Sequence, residues 1–276
     1  MAVRPQPAVT LVAVDLDGTL LRSDSTLDPA GSQALAAASQ RGVRVVLSTT
    51  RTPDTVRRFA SEIGLSDPLI CTNGAVILAS PSGPLWQSRA IPRCIARSLA
   101  ELADRVGYPL ITTVGDVTYY RQLGGEPLGS SRPGRCVVGQ NADVLGGEGA
   151  VTRVLCYDAE GIVALRAVCS ESFSDEVHVE TYLRPDGSVK SLGIFAAGSD
   201  KGTALRFVAT LLDVDLARTM AIGDNPNDLP MFDLAGIRVA MGNATQGVRS
   251  SATVVAPSND EGGVAWAIER YVTRGG

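Results

Sequence analysis

Val9-Thr10-Leu11-Val12-Ala13-Val14-Asp15-Leu16-Asp17-Gly18-Thr19 is the stretch from which the rest of the chain is read. Its first six residues form a nearly continuous apolar run, the signature of a strand covered on both faces in a parallel sheet. The run stops at Asp15, a second carboxylate follows at Asp17, and Gly18-Thr19 turns the chain. By itself Asp-x-Asp-Gly-Thr also reads as a polar turn, because Asp and Gly favour turns. Its meaning depends on what the other strand ends carry, since sites in open α/β sheets form beyond the carboxyl ends of the strands.

Outward from that stretch the pattern alternates. Asp28-Pro29 supplies an N-cap and an N1 proline, Leu35 and its neighbouring alanines an apolar face, and Gly42 a terminator. Val43–Leu47 reads as a second buried strand. Thr52-Pro53 opens a helix with Val56, Phe59, Ala60 and Ile63 on one face. Leu69–Cys71 is a third strand, followed by a hairpin with arms at Ala75–Leu78 and Leu85–Gln87. The rhythm then becomes helix-strand-strand, used twice. An amphipathic helix (Ile95, Leu99, Leu102, Val106) precedes strands at Pro109–Val114 and Val117–Arg121. After Val151–Tyr157, a helix at Gly161–Ser170 precedes strands at Val177–Leu183 and Val189–Phe195. From Lys201 the α/β order returns: a helix to Leu212, strands at Thr219–Ile222, Ile237–Ala240 and Thr253–Val255, a short helix near Leu229–Leu234 and a last one through Trp266.

The expected fold is therefore a doubly wound α/β core, residues 1–89 and 193–276, interrupted by an antiparallel α+β insert at 90–192. Gln122–Gly149, with eight glycines, reads as a long connector or a substrate-covering loop.

Composition narrows the chemistry. A net charge of −4 and a pI near 5.1 leave no basic footprint for nucleic acid. No apolar run reaches the roughly 18–20 residues a membrane span needs, and Met1–Pro7 lacks a secretory signal pattern. Five cysteines without a CxxC pair point to reduced thiols in a cytoplasmic protein rather than disulfides or zinc. With His178 the only histidine, neither a Ser-His-Asp triad nor a His-rich metal site is expected.

The strand ends carry the argument. Beyond the first lie Asp15 and Asp17, beyond the second Ser48-Thr49-Thr50-Arg51, beyond the third Thr72-Asn73-Gly74. Lys201 starts a helix, and the strand at Thr219–Ile222 runs into Gly223-Asp224-Asn225-Pro226-Asn227-Asp228. Taken alone, that last segment is also a capped helix entry and Lys201 a surface lysine. Together, two acidic clusters and a lysine suit a hard divalent cation, Mg²⁺, and a phosphate. Asp15 is then the expected nucleophile and Asp17 the general acid/base. Thr49 and backbone N–H groups around Gly18 and Thr50 would hold phosphoryl oxygens.

With these residues assembled, the chain resembles the haloacid dehalogenase (HAD) superfamily phosphatases of the Cof-type branch, subfamily IIB. Asp15-Leu16-Asp17-Gly18-Thr19-Leu20-Leu21 is similar to the first motif, Thr49 to the second, Ser199–Leu205 to the third and Gly223–Asp228 to the fourth. Val239–Ala244 and Asp260–Ala265 are also like this branch. The resemblance implies a Rossmann-like core with a C2-type cap between the second and third motifs. It implies Mg²⁺ held by the Asp15 carboxylate, the Asp17 carbonyl and Asp224, with Asp228 assisting. Asn227 would orient Asp228 or Lys201, and Arg51 and Asn73 would stand where substrate enters. One departure is Thr50, where the branch usually has glycine; a β-branched side chain there narrows the approach to a ligand.

The expected partner is a small phosphomonoester: a sugar phosphate first, a phosphorylated cofactor such as pyridoxal phosphate or flavin mononucleotide second. Tyr119, Tyr120, Arg121, His178 and Arg184 are candidate contacts within the insert. Competing readings are a phosphosugar mutase of related architecture and a non-catalytic ligand-binding relative. Oligomeric state is not legible.

Overall fold

The computed structural model describes residues 9–121 and 135–273. It divides into two compact units, one comprising Met1–Trp86, Arg184–Gly187 and Asp200–Gly276, the other Gln87–Leu183 and Ser188–Ser199.

The first unit opens with β1 (Leu11–Val14), α1 (Pro29–Gln40), β2 (Arg44–Ser48), α2 (Pro53–Ile63), β3 (Leu69–Cys71), β4 (Val76–Leu78) and β5 (Leu85–Ser88). Helix α1 starts where Asp28 accepts a bond from the Gly31 N–H at 2.8 Å. Helix α2 ends at Gly64, whose φ of 81° makes a left-handed cap.

The second unit holds α3 (Arg93–Val106), β6 (Leu110–Val114), β7 (Val117–Arg121), β8 (Arg135–Val138), β9 (Val151–Cys156), α4 (Ala159–Ser172), β10 (Val177–Leu183) and β11 (Val189–Ala196). Its sheet runs β10-β11-β9-β6-β7-β8, antiparallel except for the parallel pair β7–β8. Helices α3 and α4 cover one face, packing Ile95, Leu99, Ile162 and Leu165 against Leu110, Val154, Leu192 and Ile194. Strand β11 continues without a break through position 192, at which the sequence reading ended the insert.

The glycine-rich connector requires a correction. Its first part, 122–134, lies outside the described residues. Its second part contains β8 and a 3-10 turn at Asn141–Gly146. Cys136-Val137-Val138 is a short β-prone run, and the glycines on either side hid it.

The chain returns through α5 (Lys201–Leu211), β12 (Thr219–Gly223), α6 (Leu229–Phe232), β13 (Ile237–Ala240), α7 (Gln246–Ser251), β14 (Val254–Val255) and α8 (Gly263–Ile268). Helix α7 was not anticipated; its six residues hold a single buried apolar side chain, Val248, too little to make a periodic pattern. The first unit's sheet has the order β14-β13-β12-β1-β2-β3-β4-β5, parallel from β14 to β3. Strand β1 explains why its sequence is apolar at every position: Val12 and Val14 join the core beneath α1, α2 and α8, while Leu11 and Ala13 join the core beneath α5 and α6. The chain leaves β1 toward β2 on one side and later returns to β12 on the other. The carboxyl ends of β1 and β12 therefore flank the point where strand order reverses, the usual location of a site in such sheets. Among the described residues, no helix is long and apolar enough to cross a membrane.

Candidate active site

Asp15 is the first residue after β1, and its backbone N–H continues the parallel ladder to the Ile222 carbonyl at 3.0 Å. Asp224 is the first residue after β12. Asp228 follows in a one-turn 3-10 segment, Pro226–Asp228, where its Oδ2 accepts from the backbone N–H of Asp224 (2.9 Å) and Asn225 (3.1 Å). Lys201 opens α5, N-capped by Asp200, and its side chain is fully buried. Its Nζ donates to Asp15 Oδ1 and to Asp228 Oδ1, each at 2.6 Å. One ammonium thus joins carboxylates that lie 186 and 27 positions away.

Glycine makes this closeness possible. Gly18 has φ of 83°, and a Cβ there would strike the Asp224 carboxylate; one at Gly223 would strike Asp228.

Asp15, Asp224 and Asp228 each offer a carboxylate oxygen within 4.8 Å of the others. Burial raises the Asp15 carboxyl from its ordinary 3.8 to about 7; Lys201 opposes the rise and Asp228 adds to it. Burial likewise raises Asp224 well above the usual range, aided by repulsion from Asp15 and Asp228 and opposed by Lys201 and the Thr19 hydroxyl. Burial pulls the Lys201 ammonium down, but Asp15 and Asp228 more than reverse it and hold it above its normal value. Three buried carboxylates against one ammonium leave an excess of negative charge in a low-dielectric space. Hard oxygen donors so placed fit a divalent cation such as Mg²⁺.

The other expected residues fall around this cluster. The Thr49 hydroxyl accepts from the Arg51 N–H (3.2 Å), and the Thr49 carbonyl accepts from the Asn73 N–H (2.9 Å). Asn73 Oδ1 accepts from Asn227 Nδ2 at 3.2 Å, which joins the ends of β3 and β12. Asn73 adopts a left-handed φ of 55°, a conformation Asn tolerates better than most residues. Thr50 is half-buried. The Asp17 side chain is not in the carboxylate trio; both its oxygens are gripped by Arg51, Nε to Oδ2 at 2.9 Å and Nη2 to Oδ1 at 2.6 Å.

Some partners were missed. Thr19 donates to Asp224 Oδ1 at 3.3 Å. Asn243 Nδ2 donates to the Gly18 carbonyl at 2.8 Å, and its Oδ1 accepts from the Asn259 N–H at 3.0 Å. Asn259 in turn donates to the Leu21 carbonyl at 2.9 Å. Asn243 and Asn259 fall in or beside the two tail segments quoted above, but nothing local showed that they brace the Asp15–Leu21 loop.

Within the second unit, Arg121 pairs with Asp104 at 3.2 Å, and Asp104 also accepts the N–H groups of Asn141 and Ala142. Tyr119 packs against the helix-covered core. Both are structural there. His178 Nε2 lies 2.7 Å from Glu180 Oε1. Strand register puts Tyr120 and His178 on the sheet face away from the helices, with Thr113 and Arg153. Arg153, unnoticed in the sequence, is buried and donates to Thr113 Oγ1 at 3.1 Å. Arg184 stands at the β10–β11 turn, where its carbonyl accepts from the Gly187 N–H at 2.8 Å.

Comparison with known proteins follows the same lines. A family model described as haloacid dehalogenase-like hydrolase matches residues 12–268. Phosphatase YwpJ of Bacillus subtilis is 30% identical, over 92% of this chain and 97% of its own length. YwtE of the same organism, a 5-amino-6-(5-phospho-D-ribitylamino)uracil phosphatase, is 26% identical, over 95% of this chain and 98% of its own. The structure of a haloacid dehalogenase-like hydrolase from B. subtilis superposes with a TM-score of 0.82 at 26% identity, covering 94% of this chain and 99% of that one.

Proposed function

The chain belongs to the haloacid dehalogenase-like hydrolases, in their Cof-type branch, and from that premise we propose that it hydrolyses small phosphomonoesters through an aspartyl-phosphate on Asp15. The observation that carries the reading is the buried Lys201 ammonium bonded to both Asp15 and Asp228, at the reversal point of the sheet. A structural ion pair needs one carboxylate; this lysine serves two, with Asp224 alongside.

Asp15 attacks phosphorus and the ester P–O bond breaks. Asp17 is the group that delivers a proton to the departing alkoxide. Water then attacks the aspartyl-phosphate, Asp17 takes a proton from it, and phosphate leaves as the Asp15 carboxylate is restored. Lys201 offsets negative charge on the transferring group and fixes the Asp15 carboxylate. Thr49 and the backbone N–H groups near Gly18 and Thr50 bind phosphoryl oxygens, and Asn227 with Asn73 steadies the loop after β12. Asp15, Asp224 and Asp228, with the Asp17 carbonyl, would hold Mg²⁺, which supplies Lewis-acid stabilisation of phosphoryl charge when bound.

The inserted unit, taken as 90–192, acts in this reading as the cap that selects substrate, a sugar phosphate or a phosphorylated cofactor. The named activity of YwtE supports an ester of that size. The setting is the cytoplasm, consistent with the free thiols of Cys71, Cys94, Cys156 and Cys169.

The test is phosphate release from a panel of phosphomonoesters. Turnover is expected with Mg²⁺, is lost in excess chelator and is abolished by Asp15→Asn. Full turnover by Asp15→Asn would end the proposal.

A further inference from the structure

Arg51 holds Asp17 side-on, one nitrogen to each carboxylate oxygen. The arginine is itself held. Its guanidinium lies over the Phe59 ring of α2, 5.4 Å from the centroid. Its N–H donates to the Thr49 hydroxyl and its carbonyl accepts from the Thr72 N–H at 2.9 Å. The pair is open to water, with side-chain exposures of 27% for Arg51 and 45% for Asp17. Two residues away, Asp15 sits in the dry carboxylate cluster.

Resting on the phosphatase reading above, we infer that Arg51, seated on Phe59, is a positioning residue that keeps the Asp17 carboxylate at the solvent-facing mouth of the site, apart from the buried carboxylates. The reason is electrostatic. A fourth carboxylate beside Asp15, Asp224 and Asp228 has two poor alternatives: repulsion away into water, or capture by the cation the trio would hold. Either removes it from the oxygen of the leaving group. A planar two-pronged cation prevents both and sets the carboxylate's orientation; a lysine supplies charge without the fork. The inference gives Arg51 a role on Asp17, beyond the place at the substrate entrance that the resemblance implies for it.

The two roles separate by leaving group. A p-nitrophenolate leaves without a proton, whereas an alkoxide needs one. Because kcat/KM reports the steps through the first departure, it is compared for p-nitrophenyl phosphate and for glycerol 2-phosphate at fixed Mg²⁺. For Arg51→Ala, kcat/KM on the alkyl ester is expected to fall about 10- to 100-fold, up to the lower end of what acid catalysis contributes, and on the aryl ester by less than about 3-fold. Arg51→Lys recovers part of the difference. Phe59→Leu shows a smaller loss with the same bias, and thermal unfolding checks that each variant is folded. Equal losses on both esters, or none on either, overturn the inference while leaving Asp15 chemistry intact. A wild-type protein that releases phosphate from no ester of the wider panel, or an active Asp15→Asn, removes the phosphatase reading and this inference with it.

Discussion

The Lys201 cluster and the Asp17–Arg51 pair hang from the same loop after β1, two residues apart, and water reaches only one of them. Lys201 and Asp228 have side-chain exposures of 0%, whereas Arg51 and Asp17 stand at 27% and 45%. Burial, with repulsion among the carboxylates added and Lys201 opposing, raises Asp15 and Asp224 above the usual carboxylate range. The rim pair is balanced, one for one, with good fork geometry. The same kinds of side chain thus do different work: the interior group gathers like charges that a bound cation would offset, and the rim pair sets a direction.

The sharpest way to break this contrast is Lys201→Met. It strands Asp15 and Asp228 without their shared counter-charge, and loss of one partner from a buried ion pair costs about 3–5 kcal/mol. Urea unfolding is expected to register that loss, and activity to disappear. A lysine variant as stable as the parent would mean the cluster is wetter than its burial implies.

Next in size is a pH effect on the metal-free protein. Asp15 is raised from 3.8 to about 7, so the folded state binds this proton more tightly than the unfolded chain does. Its contribution is fully present below about pH 4 and is lost as pH rises through about 7, on the order of a few kcal/mol. In chelator, the wild-type melting temperature relative to Asp15→Asn should decline across that window. Added Mg²⁺ should flatten the decline, because the cation takes the proton's place. A difference independent of pH would contradict the shift.

Asn243→Ala comes third. It removes the bond to the Gly18 carbonyl and the acceptor for the Asn259 N–H, a loss of about 1–2 kcal/mol. Unfolding measures the stability, and kcat should fall as the Asp15–Leu21 loop loosens.

The smallest stability effect belongs to Arg51→Ala. Exposed ion pairs contribute about 0.2–1 kcal/mol, so the melting temperature should hardly move even where turnover of alkyl esters does. A large drop would place Arg51 with the buried cluster after all.

Much of the frame was legible before folding. Val9–Val14, Val43–Leu47 and Thr219–Ile222 are apolar at nearly every position because both faces of these strands are covered, and the structure gives strands at Leu11–Val14, Arg44–Ser48 and Thr219–Gly223. The tight turns of the insert carry glycine where the backbone is left-handed, Gly115 at φ 55° and Gly187 at φ 83°. Short elements were not legible. β8 and α7 hold too few residues to generate a periodic signal, and the glycines around Cys136–Val138 suggested a loop. In the site, acids placed just after apolar runs announced themselves. Thr19, Asn243 and Asn259 did not, because each acts on a partner more than 200 positions away.

By itself, then, the sequence determined which chemical groups stand at the ends of which strands, because hydrophobic periodicity and turn residues act over a few neighbours. Only the tertiary structure decided which of those groups share a dry space and which face water. That outcome depends on strand order: β12 returns beside β1, bringing Asp224 and Asp228 to Asp15 and Lys201, while β2 leaves on the other side and carries Arg51 to Asp17. No local pattern encodes that choice, yet the strength of every charge in the site follows from it.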